Sequence, residues 1–177
     1  LVCHYEVENK KGGGIWDSVR FYNLHTLQVD EDTKNNLLKF FPIKKGETVL
    51  ECGAYAGFGT IKLSKLVGPS GKVICIEGDK ENYNRCIENA KFNNLENIEF
   101  INKLIGNKNE SRTFYRGHHG VKALVPLWGG RPGIENVYNL DSILKKKVED
   151  IDFISLEINL AELEALEGGL NLLKKDK

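Results

Sequence analysis

The sequence predicts an α/β protein built on an open parallel sheet with helices on both faces. Three observations predict it. Short, nearly continuous apolar runs at 48–52, 72–77 and 152–158 have the composition of strands covered on both sides. Segments with apolar residues at helical spacing follow these runs, and a glycine-rich break at 53–59 turns the first run into the first such helix. Strands that alternate with helices imply parallel pairing and two helical layers.

With 177 residues and 41% hydrophobic content, the chain can bury one core. We divide it into an N-terminal extension, 1–28, and a single domain, 29–177. The acidic start and the cluster Leu37, Leu38, Phe40, Phe41 predict a short amphipathic helix over 29–41, halted by Pro42 and the turn at Lys44, Lys45 and Gly46. The strand at 48–52 (TVLEC) comes next. A helix over 58–67 should then stop at Gly68 and Pro69, and 72–77 (KVICIE) completes a βαβ unit. Asp79 is placed to cap a helix whose Tyr83, Cys86, Ile87 and Ala90 share one face, with Asn93 and Asn94 ending it. A third strand is expected at 97–102.

Regular alternation lapses between 106 and 136. Short strands are conceivable at 112–115 and 121–125, but GHHG and WGGRPG are loop chemistry, and a loop of this length is a functional suspect. Order resumes with a short helix at 141–147 and a fourth strand at 152–158. Asn159 and Glu162 have capping-box spacing, and Leu163, Leu166, Leu170 and Leu173 form one apolar face of a final helix.

The 25 basic and 25 acidic side chains cancel, so overall charge announces neither a nucleic-acid nor an acidic-membrane partner. No apolar run approaches the roughly 18 residues of a membrane span, and no signal peptide is recognisable. Of the four cysteines, Cys52 and Cys75 lie in apolar strand segments, where a thiol acts as a small hydrophobe. A reducing, cytoplasmic setting is the expectation. The chain begins at Leu1 and contains no methionine.

In open parallel sheets ligands bind beyond the carboxyl ends of the strands. The stretch ECGAYAGFG occupies such an end: Gly53, Gly57 and Gly59 allow close backbone approach, and the following helix presents its N-terminus. Glu77 closes the second strand 26 residues after Glu51, a separation that sets a carboxylate against a ribose diol. A glycine turn that binds nothing and an acid that merely caps a helix are the plainer alternatives. Glu51 is harder to explain that way, because a carboxylate inside an apolar strand needs a partner to offset its desolvation.

The runs VLECGAYAGFGT, GKVICIEGDKENYNRCIENAKFNNLENIEFI and YNLDSILKKKVEDIDFISLEINLAELEALEGGL resemble, in this order, the FkbM-type branch of class I S-adenosylmethionine-dependent methyltransferases. The resemblance spans about 45–173. It implies a Rossmann-like sheet of central strand order 3-2-1-4 and methyl transfer from S-adenosylmethionine to a hydroxyl of a small molecule or sugar. It also implies that the methionine end of the cofactor lies near Glu51, Gly53, Ala54, Tyr55, Gly57 and Thr60. The ribose acid corresponds to Glu77, and Asn102 is the candidate on the adenine side. The ammonium and sulfonium of such a cofactor would be natural partners for Glu51.

Two departures stand out. Where the family reads D-x-E-G-A-E, this chain has Glu157, Ile158, Asn159, Leu160, Ala161 and Glu162, so acceptor choice and catalysis are the affected properties. The family's sheet has seven strands, whereas this chain is apparently truncated after the fourth; its parallel edge then calls for cover by a further segment or by a second subunit in a homo-oligomer. Glu157 is the candidate base for the acceptor proton. His118 and His119 lack the companions of a metal site, so no metal is expected. Tyr115, Trp128 and Arg131 could form a lid over the acceptor, although a plain surface loop is the simpler reading.

A methyltransferase-fold scaffold without catalysis is one rival reading. The other is a nicotinamide-dependent short-chain dehydrogenase, for which Gly53, Gly57 and Gly59 also suffice. Tyr83, Tyr115 and Tyr138 all lack a lysine four residues later, so the Tyr and Lys pair of that chemistry is missing.

Overall fold

The computed structural model describes residues 4–6, 20–22, 42–117, 122–123, 130–145 and 151–173. An antiparallel pair, β1 (His4–Glu6) and β2 (Arg20–Tyr22), belongs to the N-terminal extension. The helix expected over 29–41 lies outside the described residues.

The predicted βαβ core forms as β3 (Thr48–Cys52), α1 (Phe58–Val67), β4 (Lys72–Ile76), α2 (Lys80–Phe92) and β5 (Ile98–Ile101). The chain returns as β10 (Phe153–Leu156), and the parallel sheet has the order β10-β3-β4-β5, the expected 3-2-1-4 arrangement. The alternation of side chains explains its two layers. Val49 and Val73 point to α1 and pack with Leu63 and Val67, while Ala54, Cys75 and Cys86 pack beneath α2. Leu50, Cys52, Ile74 and Ile76 point to the other face. There they meet Leu140 and Leu144 of α3 (Leu140–Leu144), Ala165 of α4 (Glu162–Glu167) and Leu172 of α5 (Leu170–Leu173). Each such aliphatic side chain removed from water contributes about 1.5–3 kcal/mol, so this two-sided core holds the strand ends in place. Cys52, Cys75 and Cys86 are buried free thiols. Burial, first of all, raises the pKa of Cys52 above the thiol range, which leaves it a packing group as its strand position suggested.

Helix boundaries follow their signals. Gly68, at φ 69°, ends α1, and Asp79 caps α2 by accepting from the Glu81 and Asn82 N–H groups at 3.0 and 3.1 Å. On α2 the face that packs includes Cys86 and Ala90 as expected, but also Asn82 and Asn89. Asn89 is tolerated because its amide donates to the Ala56 carbonyl at 2.7 Å, fastening the glycine loop to α2.

Between 106 and 136 the described residues form a second sheet, in which the short strands conceivable at 112–115 and 121–125 are present and the segment read as loop from 131 is a strand as well. β6 (Leu104–Ile105), β7 (Glu110–Arg116), β8 (Lys122–Ala123) and β9 (Arg131–Tyr138) assemble in the order β6-β9-β7-β8 around Leu104, Phe114 and Val137. Pro132 and Gly133 argue locally against a strand. They are accepted because β6 pairs only Val137 and Tyr138, which leaves the outer side of β9 without a described partner over 131–136, as at a sheet edge. Arg112 ties this sheet to α4 through a two-pronged ion pair with Glu164. Tyr115 and Arg131 therefore stand on strands rather than on a lid loop. Trp128, His118 and His119 lie outside the described residues.

The C-terminal helix also differs from expectation. It is two short helices parted at Gly168 and Gly169, and the side chains buried are Ala161, Ala165 and Leu172, while Leu163 and Leu170 of the expected leucine face are exposed. Leu163 is 69% and Leu170 50% exposed. Tertiary packing selected the small residues, which let the helix lie close to the sheet. The capping box expected at Asn159 and Glu162 does not form: Ala161 is the N-cap, with no side-chain cap hydrogen bond, and Glu162 accepts instead from the Ile158 N–H at 3.0 Å. Asn159 and Leu160 both take left-handed backbone, at φ 54° and 71°.

Leu160, standing where the family pattern has glycine, adopts a glycine conformation with its side chain 70% exposed. A left-handed non-glycine residue costs about 1–2 kcal/mol, partly offset by the extra freedom glycine brings to the unfolded chain. Leu160→Gly is therefore expected to stabilise the fold by about 0.5–1 kcal/mol in urea denaturation. An unchanged or lower midpoint would show that the leucine side chain is held by contacts.

Among the described residues, β10 has a strand on one side only, so the sheet edge anticipated from the sequence is present. No described helix is long and apolar enough to cross a membrane.

Candidate functional site

The register of the sheet aligns the candidate residues. Leu156, Cys52, Ile76 and Ile101 are neighbours across the four parallel strands. One residue further on come Glu157, Gly53, Glu77 and Asn102, in one row along the carboxyl ends. Backbone hydrogen bonds continue into this row, from Gly53 N–H to the Ile76 carbonyl at 2.8 Å and from Glu77 N–H to the Ile101 carbonyl at 3.0 Å. Glu157 N–H closes it on the Cys52 carbonyl at 2.9 Å.

Gly53 is required at its place. Its φ is 87°, and a Cβ would collide with the Glu157 carbonyl. Gly57, at φ 88°, is the N-cap of α1, and a Cβ there would stand 3.1 Å from Cys86 Cα. Gly59 has a different reason: the Glu51 carboxylate lies where its Cβ would be. No side chain caps α1, and no acid occupies its first turn, so the helix turns its positive end to the glycine loop.

Glu51 is 7% exposed, and the Thr60 hydroxyl donates to it. The carboxylate in the strand thus has a partner within the protein, and Thr60, itself buried, serves the site through Glu51. Ala54 is also buried, with its methyl against Cys75 and Cys86, so it offers a ligand only backbone. Tyr55 adopts φ 52°, which turns its N–H to Glu77 Oε2 at 2.8 Å.

Glu77 is the most distinctive group. It is 8% exposed, and its Oε1 accepts from the Asp79 N–H at 2.8 Å. Burial pushes its pKa up to about 7, against the two amide hydrogen bonds; Asp79 raises it further and the Lys122 ammonium lowers it. Asn102 donates to the carbonyls of Glu77 and Gly78 at 2.8 and 3.3 Å, so it fastens the turn that carries this acid. Glu157 lies exposed at the end of β10.

Sequence reasoning missed the residues that the second sheet sends to this end. Arg116 donates to Asp79 and Glu81, both at 3.0 Å. Lys122 donates to Glu135 at 2.5 and 2.7 Å, and its ammonium stands 3.4 Å from the Gly78 carbonyl. No local pattern announces either one, since their partners are 37 and 44 residues away. Among the described residues no group of three or more His, Cys, Asp or Glu side chains is placed to hold a metal ion.

A model of the methyltransferase FkbM domain matches residues 51–177. The chain is 33% identical over 164 residues to a protein named as a probable cobalt-precorrin-6B C(15)-methyltransferase (decarboxylating) from Saccharolobus solfataricus, covering 82% of this chain and 80% of that one. It is also 33% identical over 87 residues to a 23S rRNA (uracil(1939)-C(5))-methyltransferase from Acinetobacter baylyi, covering 47% of this chain. It spans 19% of that enzyme's length and 16% of an arsenite methyltransferase from Halobacterium salinarum. Among solved structures, a SAM-dependent methyltransferase from Aquifex aeolicus is 36% identical, with a TM-score of 0.37, over 42% of this chain and 43% of the other.

Proposed function

This chain belongs to the methyltransferase FkbM domain family, and on that premise we propose that it transfers a methyl group from S-adenosylmethionine to the hydroxyl of a small molecule or sugar. The observation that carries the reading is the pair of acceptor positions at Glu77. Each carboxylate oxygen takes one backbone N–H, from Tyr55 or from Asp79. An ionised carboxylate oxygen has room for two donors, so a second one at each suits a vicinal ribose diol.

Bound S-adenosylmethionine supplies an electrophilic methyl on a sulfonium. Glu77 would accept from the ribose hydroxyls, with Asn102 keeping the turn beneath it in place. The loop from Gly53 to Gly57 brings bare backbone to the methionine end, with the N-terminus of α1 facing its carboxylate and the Glu51 and Thr60 pair beneath. The acceptor lies over the end of β10. Glu157 there would take the proton of the hydroxyl, whose oxygen gains the methyl group as the carbon–sulfur bond of the sulfonium breaks and leaves a neutral thioether. Alignment of acceptor and methyl accounts for most of the acceleration, up to roughly 7–11 kcal/mol in favourable systems.

One observation favours a scaffold without catalysis. Asn159, an amide where the family has an acid, donates to the Lys122 carbonyl at 3.4 Å and so has a structural contact. Titration calorimetry with S-adenosylmethionine, S-adenosylhomocysteine and NAD tests the cofactor. Binding of the first two, without NAD, is the expected result; NAD binding alone would replace the reading with a dehydrogenase. Label from methyl-tritiated cofactor should enter the small-molecule fraction of a cell extract. Label confined to RNA would change the acceptor, and binding without any transfer would favour the scaffold.

A further inference from the structure

We propose that Lys122 is a positioning residue of the cofactor site: reaching from β8, its ammonium holds the turn after β4 and stands as counter-charge to the Glu77 carboxylate which that turn carries. The inference rests on the cofactor reading of Glu77.

Lys122 has an unusual position for a lysine. Its side chain is only 11% exposed, although it belongs to a two-residue strand at the margin of the second sheet. The ammonium is fixed on two sides. It donates to both oxygens of Glu135 on β9, at 2.5 and 2.7 Å, and it lies 3.4 Å from the carbonyl of Gly78, the residue next to Glu77. The backbone of the same residue reaches the fourth-strand loop, where Asn159 donates to its carbonyl at 3.4 Å. One residue thus touches the turn of the ribose acid and the segment that follows Glu157.

The other charged and titratable groups around Glu77 leave this role to Lys122. Asp79, in the same turn, repels the carboxylate, and the buried Cys86 of α2 supplies no positive charge. Tyr55, in the glycine loop, contributes its backbone N–H. Arg116 of β7 is committed to Asp79 and Glu81. Glu135 pairs with Lys122 and tempers its field. Among the described residues the cation acting directly on Glu77 is that of Lys122, and it acts to lower the carboxyl's pKa against the effect of burial. Because it stands on the second sheet, its hold on the Gly78 carbonyl couples the turn after Glu77 to that sheet.

The test reads the Glu77 carboxyl itself by carbon-13 NMR across pH in the cofactor-free protein, the resonance being assigned with Glu77→Gln. Lys122→Gln should raise its midpoint by about half a pH unit or more, and Lys122→Arg should restore it. Glu135→Gln should move it the opposite way, because the ammonium then acts without its counter-charge. A purely structural role would move both variants alike, so an unchanged midpoint in Lys122→Gln, or equal shifts in the two variants, would overturn the proposal. S-adenosylhomocysteine titrated at pH 6, 7 and 8 supplies the second reading: the pH at which binding is half-maximal should follow the Glu77 midpoint in each variant. A midpoint that moves as stated while wild type fails to bind S-adenosylhomocysteine would retire the cofactor reading and keep the electrostatic link.

Discussion

Glu77→Ala is expected to weaken S-adenosylhomocysteine binding at least about a hundredfold at pH 8, measured by titration calorimetry. Two charge-assisted hydrogen bonds to a ribose diol contribute about 1.5–3 kcal/mol each, and about 1.4 kcal/mol corresponds to a factor of ten. The alanine also strands the amides of Tyr55 and Asp79, whose acceptors are the two carboxylate oxygens. Glu77→Asp separates the effects: it keeps the charge but withdraws it by one methylene, so it should bind weakly with the fold intact. The pH dependence carries an independent sign. Burial, the leading cause, puts the Glu77 midpoint at about 7, so the accepting carboxylate is the majority form only above that pH. Wild-type affinity should therefore rise about tenfold between pH 6 and 8, in proportion to the ionised fraction, and Glu77→Ala should be flat over that range. The same raised midpoint acts on the fold in the other direction. The contribution of Glu77 to stability is fully present below its unfolded value and is lost as pH rises through about 7. Cofactor binding and apo stability thus favour opposite sides of neutrality.

Gly53→Ala is expected to lower the unfolding free energy by about 3 kcal/mol or more, read as a fall in the urea midpoint. Two costs add. The residue sits at φ 87°, where an L side chain is strained by about 1–2 kcal/mol. The new Cβ would also meet the Glu157 carbonyl carbon at 2.8 Å, closer than contact allows. Those atoms are backbone, anchored by the 2.9 Å hydrogen bond from Glu157 N–H to Cys52, so relief requires β10 to slide from β3. Gly46→Ala is the control. It has the same φ of 87°, but its nearest neighbour would stand 3.8 Å from the Cβ, so strain acts there without a clash. Equal losses in the two variants would refute the close packing of the glycine turn on β10.

The parts of the fold legible in the sequence are those whose causes are local. The strand Thr48–Cys52, the helix Phe58–Val67 with its Gly68 stop and the Asp79 cap were all readable, because apolar runs, a positive-φ glycine and a capping carboxylate act within one or two turns of chain. The second sheet was not. Its strand Arg131–Tyr138 contains Pro132 and Gly133 and is mostly exposed, so neither propensity nor alternation marks it; pairing with Glu110–Arg116 makes it a strand. The leucines of the last helix misled for a related reason. Periodicity fixes which residues share a face, but the neighbouring sheet accepted Ala161 and Ala165, leaving Leu163 outside.

The site divides along the same line. The sequence by itself determined that a glycine turn and two acids, Glu51 and Glu77, stand at the ends of adjacent strands, since the order of strands and breaks places them there. Only the tertiary structure decided what those acids meet: Thr60 for Glu51, and the amides of Tyr55 and Asp79 for Glu77, with the Lys122 ammonium acting on it from the second sheet. The physical reason is range. Helix caps and strand runs are set by neighbours a few residues apart, whereas the charge and hydrogen bonding of a buried carboxylate depend on groups that folding brings from 44 residues away, as it brings Lys122 to the turn beside Glu77.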